Sequence, residues 1–209
     1  MINSVLKVIT GIVKLRGATD DTEIGNSSNR LLVQNKVYEK ETYVVLATDV
    51  VLGNGKSMVA VLNGAGSGRI IRVHKAKLIN ARTTNVTGVV TDFRVRRITN
   101  LSAGTAITPL SMDTLDSLPA QVIAATGGTV TEVAGDLMRY LWSSDEWGAG
   151  TVDVEAQDHG PQSLIPFYET LDGTKPITLR EGQGLTVRCN TNTTAGTFDL
   201  ELWISEETI

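Results

Sequence analysis

The sequence has little of the chemistry on which most catalytic and metal sites depend. Its 209 residues include one cysteine, Cys189, and two histidines, His74 and His159. One cysteine excludes an intrachain disulfide and a multi-cysteine zinc site, and two histidines are too few for a histidine-rich metal centre. Neither histidine lies in a recognisable nucleophile motif. We therefore predict no enzymatic activity, no cofactor and no bound metal.

An excess of positive charge and long apolar runs are also missing. Nineteen Lys and Arg stand against 23 Asp and Glu, which gives a formal net charge of −4. Nucleic-acid binders need clustered cations, but the most basic run, Arg94 to Arg97, is interrupted by an apolar residue. No stretch approaches the roughly eighteen apolar residues of a membrane helix, and residues 1–8 lack the core of an export signal. We expect no nucleic acid and no membrane among the partners, and synthesis without export.

What the sequence does have is short β-branched runs separated by Gly, Asn, Pro and Asp, which predicts strands and turns. Residues 137–142 fit either a strand or one or two helical turns. The remaining predicted strands lie at 5–15, 31–38, 43–51, 57–63, 69–79, 86–98, 119–125, 128–133, 151–155, 176–180, 185–190 and 198–204. Strands at this spacing predict an all-β fold, an antiparallel β-sandwich that is jelly-roll-like.

Period-two alternation is clearest near the C-terminus, where we predict a hairpin. Leu185, Val187 and Cys189 form one apolar set, and the even residues from Phe198 to Ile204 form another. Such alternation places these sets on a buried face, so Cys189 is expected to be a buried free thiol. Trp203 falls on the outward set, which makes it a candidate for a subunit interface.

Two glycine-rich segments superficially resemble phosphate-binding loops. Gly53–Ser57 lacks the earlier glycine of a P-loop, and a strand pattern follows where the loop needs a helix. Asn54-Gly55 instead predicts a hairpin turn between the apolar runs on either side. Gly64–Gly68 has the wrong glycine spacing for a dinucleotide site, and we interpret it as a connection between two strands.

The first forty residues differ from the rest. Residues 17–30 are too poor in apolar side chains to fill a core. They fit either a surface loop or an extended N-terminal arm that becomes ordered on a partner. We predict an attachment segment at 1–40 and a β-sandwich domain at 41–209.

Residues Lys14–Val33 resemble a segment near the start of many tailed-bacteriophage virion proteins. That segment has the pattern G-T-D-G-T-x-I-G-N-x-G-D-R-L-x-V, from which this sequence departs at Ala18, Asp21, Ser28 and Asn29. Residues 179–187 with 198–204 are similar to the closing strands of viral jelly rolls. The resemblance implies a virion component assembled in the host bacterial cytoplasm. We predict that the residues that contact its partners are Arg16, Asp20, Ile24, Asn26, Arg30, Leu31 and Trp203.

Two functions remain open at this point. The first is a non-enzymatic capsid decoration, cement or head-fibre protein, whose partners are the major capsid protein or other virion proteins. Symmetric assembly, with a homotrimer favoured, would suit a repeating shell. The second is a tail- or fibre-associated module that binds a receptor or host-surface glycan. Its motivation is Trp142, Trp147 and Trp203, together with the polar loops at 143–150 and 156–162.

Overall fold

A computed structural model describes residues 23–27, 30–34, 40–81, 89–143, 164–171, 174–194 and 196–208 of the chain. For 23–27, 30–34 and 164–165 the description covers the backbone. The chain divides into two compact units, Met1–Lys40 and Glu41–Ile209. The strands predicted at 5–15 and 151–155 lie outside the described residues.

Every regular element in the described ranges is a strand. Unit 1 contains β1 (Glu23–Ser27) and β2 (Arg30–Gln34), which pair antiparallel. The described strands of unit 2 are β3 (Thr42–Val51), β4 (Lys56–Asn63), β5 (Arg69–Asn80), β6 (Val90–Ser102), β7 (Thr105–Ile107), β8 (Leu110–Ser111), β9 (Val122–Thr126), β10 (Thr129–Glu132), β11 (Met138–Ser143), β12 (Leu164–Glu169), β13 (Ile177–Leu179), β14 (Gln183–Thr191) and β15 (Thr197–Thr208).

The strands of unit 2 form two antiparallel sheets. The front sheet has the order β12-β5-β15-β3-β8, and β13 also pairs with β5. The back sheet has the order β10-β6-β14-β4-β9-β7, and β11 also pairs with β6. The inward faces of both sheets contribute to one buried apolar layer, as in a β-sandwich. The predicted all-β antiparallel sandwich is therefore confirmed.

The strand pairs of unit 2 are nested, as they would be in one long antiparallel hairpin. β3 pairs with β15, β4 with β14, β5 with β12 and β13, and β6 with β10 and β11. The strands β3, β4, β5 and β6 alternate between the front and back sheets, so this ribbon wraps around the core. Pairing of β15 with β5 and of β14 with β6 joins successive turns of the ribbon within each sheet.

The buried layer follows the alternation expected from the sequence. Along β15 the even residues from Phe198 to Ile204 are buried, whereas Trp203 between them is half-buried. The ring of Phe198 makes edge-on contacts with Phe93 and Trp142, with 5.1 Å between ring centroids in each case. Such edge-to-face pairs add to the hydrophobic stabilisation. Phe198 thus joins side chains of both sheets at the centre of the core.

Cys189 is a free, fully buried thiol, as predicted. It lies on the inward face of β14 with Leu185 and Val187. Its Sγ donates a hydrogen bond to the carbonyl oxygen of Gly53 at 3.0 Å. The cysteine therefore has a packing role in the sandwich.

A second, smaller apolar cluster lies on the outer face of the back sheet. Thr131 pairs with Asn100 and Glu132 pairs with Ile98, so β6 carries one extra residue between them. A bulge of this kind shifts the alternation of side chains by one residue along the strand. Ile98 and Leu101 therefore lie on the same face of the sheet although they are three positions apart. The buried members are Ala60, Leu62, Ile98, Leu101 and Ala125, and Val130 packs against them.

Both predicted hairpins of unit 2 are wrong in their pairing, although their turns and faces are right. A turn forms at Asn54-Gly55, where Gly55 has a φ of 71° and the N–H of Lys56 donates to the carbonyl of Gly53 at 3.0 Å. The strands on either side belong to opposite sheets, and the same holds for β14 and β15. Apolar alternation along a strand shows which face is buried. It does not show whether two consecutive strands pair within one sheet or face each other across the core, because both arrangements bury the same residues.

Several strands were not predicted. β7 and β8 are three and two residues long, which is too short to show a period. β12 was also not predicted, and residues 137–142 prove to belong mostly to a strand, β11. In unit 1 the polar stretch, interpreted as a loop or an extended arm, contains β1 and pairs with β2 in a hairpin.

Replacement of Phe198 by Ala should destabilise unit 2 strongly. The change removes a fully buried ring that contacts both sheets, and such truncations cost about 3–5 kcal/mol. Urea denaturation followed by tryptophan fluorescence measures the loss. Leu141→Ala, at a side chain that is 40% exposed, is the control and should cost less than about 1 kcal/mol. Equal losses for the two variants would contradict the assigned core.

Candidate protein-binding surface

The structure brings together four of the sequence-predicted contact residues. Ile24 and Asn26 lie on β1, and Arg30 and Leu31 lie on β2. Asn26 and Leu31 are direct cross-strand partners, and Ser27 pairs with Arg30 next to them. Arg16 and Asp20 lie outside the described residues. One hairpin therefore holds the described part of the predicted attachment motif.

Trp203 lies on the outer face of the front sheet, as the alternation predicted. It is the direct cross-strand partner of Val44 on β3, and Val44 is in turn the partner of Leu110 on β8. Residues directly opposite each other in an antiparallel ladder point to the same side of the sheet. The three side chains therefore form a row across three adjacent strands.

Two more apolar side chains extend this row. Leu46 follows Val44 by two residues on β3 and is 40% exposed. Met112 follows Leu110 by two residues, continues the ladder through a 2.8 Å hydrogen bond from its N–H to the carbonyl of Thr42, and is 53% exposed. Leu110 itself is 61% exposed. We call Val44, Leu46, Leu110, Met112 and Trp203 the Trp203 surface.

The Trp203 ring is fixed by polar partners at one edge of this surface. Its Nε1–H donates to Glu201, and the ammonium of Lys77 lies 5.5 Å from the ring centroid. Lys77 also donates to Glu201 at 2.9 Å. Burial opposes ionisation of Glu201, but the hydrogen bonds from Lys77 and Trp203 outweigh it and lower the pKa of this carboxyl. A tryptophan held in place in this way loses little side-chain freedom when a partner covers it.

The rest of the front sheet's outer face is charged and internally matched. Every Lys and Arg in the middle of β5 has an acidic partner on a neighbouring strand. The pairs are Arg72 with Glu207 at 2.6 Å, Lys75 with Glu169 at 2.8 Å and Lys77 with Glu201 at 2.9 Å. This face therefore divides into a neutralised charged half and an apolar half.

Arg94 and Arg96 of the basic run on β6 are neutralised in the same way on the outer face of the back sheet, whereas Arg97 donates to the carbonyl of Thr178 at 3.0 Å. Arg96 bridges Glu132 and Asp136, and Glu132 also accepts from Arg188 at 2.9 Å. Arg94 pairs with Asp92 at 2.5 Å. Arginines committed to carboxylates release no counterions from a phosphate backbone. The arrangement gives no support to nucleic-acid binding.

A pair of carboxyl groups, the exposed Glu41 and the buried Glu206, lies beside Tyr43 near the start of β3. Tyr43 Oη lies 3.1 Å from Glu41 Oε2 and 3.2 Å from Glu206 Oε1, and Arg69 Nε donates to Glu206 Oε2 at 3.2 Å. Both carboxyl groups are thus held around one hydroxyl, and their mutual interaction shifts the pKa of each. Burial and the interaction with Glu41 raise the pKa of Glu206 from 4.5 to about 7, and the same interaction lowers the pKa of Glu41.

Other groups with possible chemistry have structural partners. His74 on β5 lies with Nε2 2.7 Å from Ser205 Oγ on β15, a cross-strand contact, whereas His159 lies outside the described residues. Burial raises the pKa of the Cys189 thiol, which disfavours the reactive thiolate. Among the residues that the structure describes, no three His, Cys, Asp or Glu side chains gather as a metal site. The same residues include no helix of the length and apolar character that crossing a membrane requires.

The three tryptophans do not form one sugar-stacking platform. Trp142 is 4% exposed and belongs to the core beside Phe198. Trp147 and the loop at 156–162 lie outside the described residues, as does most of the loop at 143–150. Trp203 is therefore the one tryptophan that the described structure places on an outer face.

Sequence reasoning missed most of the Trp203 surface. The alternation along β3 contains a usable signal, because Val44 and Leu46 are apolar residues on the outward set. Leu110 and Met112 give no such signal, since β8 has two residues. Glu41 and Glu206 are 165 positions apart, and only the pairing of β3 with β15 brings them together.

Comparisons with known proteins do not identify a relative. No family model, no curated protein and no solved structure matches this chain.

Replacement of Trp203 by Ala should cost little stability. The half-buried ring lies on the outer face, and its partners Lys77 and Glu201 remain paired with each other. We expect a loss of about 1 kcal/mol, the size of an exposed cation–π contact and some packing. Urea denaturation compares this variant with Phe198→Ala on the same strand. A loss as large as that of Phe198→Ala would mean that Trp203 serves the core and not the surface.

Proposed function

We propose that the chain is a non-enzymatic structural protein of a bacteriophage virion, which decorates or cements the capsid or forms a head fibre. The nested strand pairing of unit 2 is the observation that carries this proposal. Two further features support it: the resemblance of residues 14–33 to a virion segment, and the apolar Trp203 surface.

The nested pairing supports a jelly roll. A jelly roll arises when a long antiparallel ribbon is rolled so that consecutive strands fall in opposite sheets, and such folds are common in viral capsid proteins. The pairs β3–β15, β4–β14, β5–β12 and β6–β11 make up such a ribbon. We infer that unit 2 is a jelly roll in which β7, β8, β9, β10 and β13 are additions to the ribbon.

Unit 1 supplies the attachment in this proposal. The hairpin carries Ile24, Asn26, Arg30 and Leu31 within the segment that resembles other virion proteins. A small hairpin is marginally stable by itself, so a partner that covers it contributes to its order. The major capsid protein or another virion protein is the partner that we propose.

Unit 2 supplies the contacts between copies. Interfaces are enriched in Trp and Met near their centres, and the Trp203 surface contains one of each beside Val44, Leu46 and Leu110. We propose a homotrimer, because a trimer fits sites of local threefold symmetry on a shell. The glycan-binding alternative has weaker support, since burial of Trp142 removes one of the residues that motivated it.

Deletion of residues 1–35 should abolish binding to the particle and leave unit 2 folded. The deletion removes β1 and β2 but none of the residues that form the core of unit 2. Co-sedimentation with virions that lack the protein measures binding, and circular dichroism measures the fold.

A full-length variant, Ile24→Asp with Leu31→Asp, provides the matched test of the hairpin. It should lose co-sedimentation as the deletion does, whereas Leu141→Ser on the outer face of the back sheet should bind as wild type. Normal decoration by the truncated protein would show that the attachment model is wrong.

The purified protein should have a mass of about three times 22.4 kDa by light scattering. Leu110→Ser combined with Met112→Ser should reduce it to the monomer mass, since both changes place polar groups in the proposed contact. Leu141→Ser, at an exposed leucine of the other sheet, should stay trimeric. A monomeric wild type, or a double variant that stays trimeric, would overturn the proposed role of this surface.

A further inference from the structure

We propose that Glu41 and Glu206 form a proton-operated clasp. While the two carboxyl groups share a proton, the clasp holds the start of β3 against β15; when the proton leaves, this attachment loosens. The device stands on the geometry of unit 2 and does not depend on the virion role proposed above.

The geometry places both carboxyl groups around one phenol. Tyr43 Oη lies 3.1 Å from an oxygen of Glu41 and 3.2 Å from an oxygen of Glu206. The backbone N–H of Glu206 donates to the carbonyl of Glu41 at 3.0 Å, so the backbones are joined at the same place. The side chain of Glu206 is only 3% exposed. Water therefore solvates a negative charge on Glu206 poorly, whereas Glu41 is exposed.

The charged surroundings do not neutralise two carboxylates. From β5, Arg69 faces Glu206 at 3.2 Å. From the loop after β8, Asp116 interacts with Glu41 and adds negative charge, and Asp113 lies close to Asp116. Glu207, the next residue on β15, forms a salt bridge with Arg72 on the opposite face of the sheet. One guanidinium thus faces two carboxyl groups, and a shared proton supplies the missing positive charge.

The clasp lies where the chain enters unit 2. Glu41 is the first residue of that unit and directly precedes β3. Tyr43, two residues later, is fully buried in the core. Loss of the clasp can therefore free residues 40 and 41 while Thr42 stays paired with Ser205 and Tyr43 stays anchored, which makes the opening local.

The direction of the pH effect follows from the two pKa values. The pKa of Glu206 is raised to about 7, so its contribution to stability is complete below its unfolded pKa of 4.5 and is lost as the pH rises through 7. The pKa of Glu41 is lowered by the interaction with Glu206, so its contribution is present above pH 4.5. The clasp is therefore closed near pH 5.5 and open above pH 8.

Hydrogen–deuterium exchange at the Glu206 amide tests the clasp, because this amide donates to Glu41. After correction for the pH dependence of intrinsic exchange, the protection factor of this amide should fall at least tenfold between pH 5.5 and pH 8.5. The reason is that each unit of pKa shift corresponds to a tenfold change in the equilibrium between the two protonation states. Glu206→Gln cannot ionise and should keep its protection at both pH values. Glu207→Gln, the matched control on the other face, should behave as wild type.

Equal protection of the wild type at both pH values would overturn the proposal, and so would a tenfold loss in Glu206→Gln. If Glu206→Gln does not fold, Glu41→Gln replaces it: the amide of Gln can donate to ionised Glu206, so protection should persist at pH 8.5, and a tenfold loss would overturn the proposal. Carbon-13 NMR of the glutamate carboxyl carbons gives an independent measure: a Glu206 midpoint near 7 supports the clasp, and one near 4.5 contradicts it.

Discussion

The packing of two sheets across one apolar layer determines how this chain is wound. Neither sheet can bury its inward face alone, so the residues of β15 and β14 must face each other across the layer that Phe198, Phe93 and Trp142 occupy. The consecutive strands β3, β4, β5 and β6 alternate between the sheets, as do β13, β14 and β15, so within each sheet these strands pair with strands distant in sequence. The nested ribbon, the position of Trp203 and the contact of Glu41 with Glu206 all depend on this arrangement.

Charge matching complements the apolar layer on the outside of the sandwich. Arg72, Lys75 and Lys77 of β5 and Arg94 and Arg96 of β6 have carboxylate partners on the same or a neighbouring strand or on an adjacent loop. Surface pairs of this kind contribute little stability each, but each one neutralises a cation that would otherwise attract a polyanion. On the outer face of the front sheet, the Trp203 surface remains as an apolar region, which is the kind of surface that suits a protein partner.

The sequence predicted local features well and non-local ones poorly. Period-two alternation depends on neighbouring residues, so it identified β3, β4, β5, β14 and β15, the burial of Cys189 and the outward position of Trp203. It assigned β14 and β15 to a hairpin because alternation carries no information about which sheet a strand joins. Glu206 has the ordinary sequence context of a surface acid, and only its pairing beside Glu41 gives it a raised pKa. Leu110 and Met112 were missed because a two-residue strand has no period.

We propose that copies of this chain bind a virion through unit 1 and contact one another through the outer face of the front sheet of unit 2. Cryo-electron microscopy of phage heads reconstituted with the full-length protein tests this claim most directly. We expect threefold density at sites of local threefold symmetry, with the Trp203 surface between copies and residues 23–34 against the shell. Heads without added density, or density in which the Trp203 surface faces solvent, would contradict it.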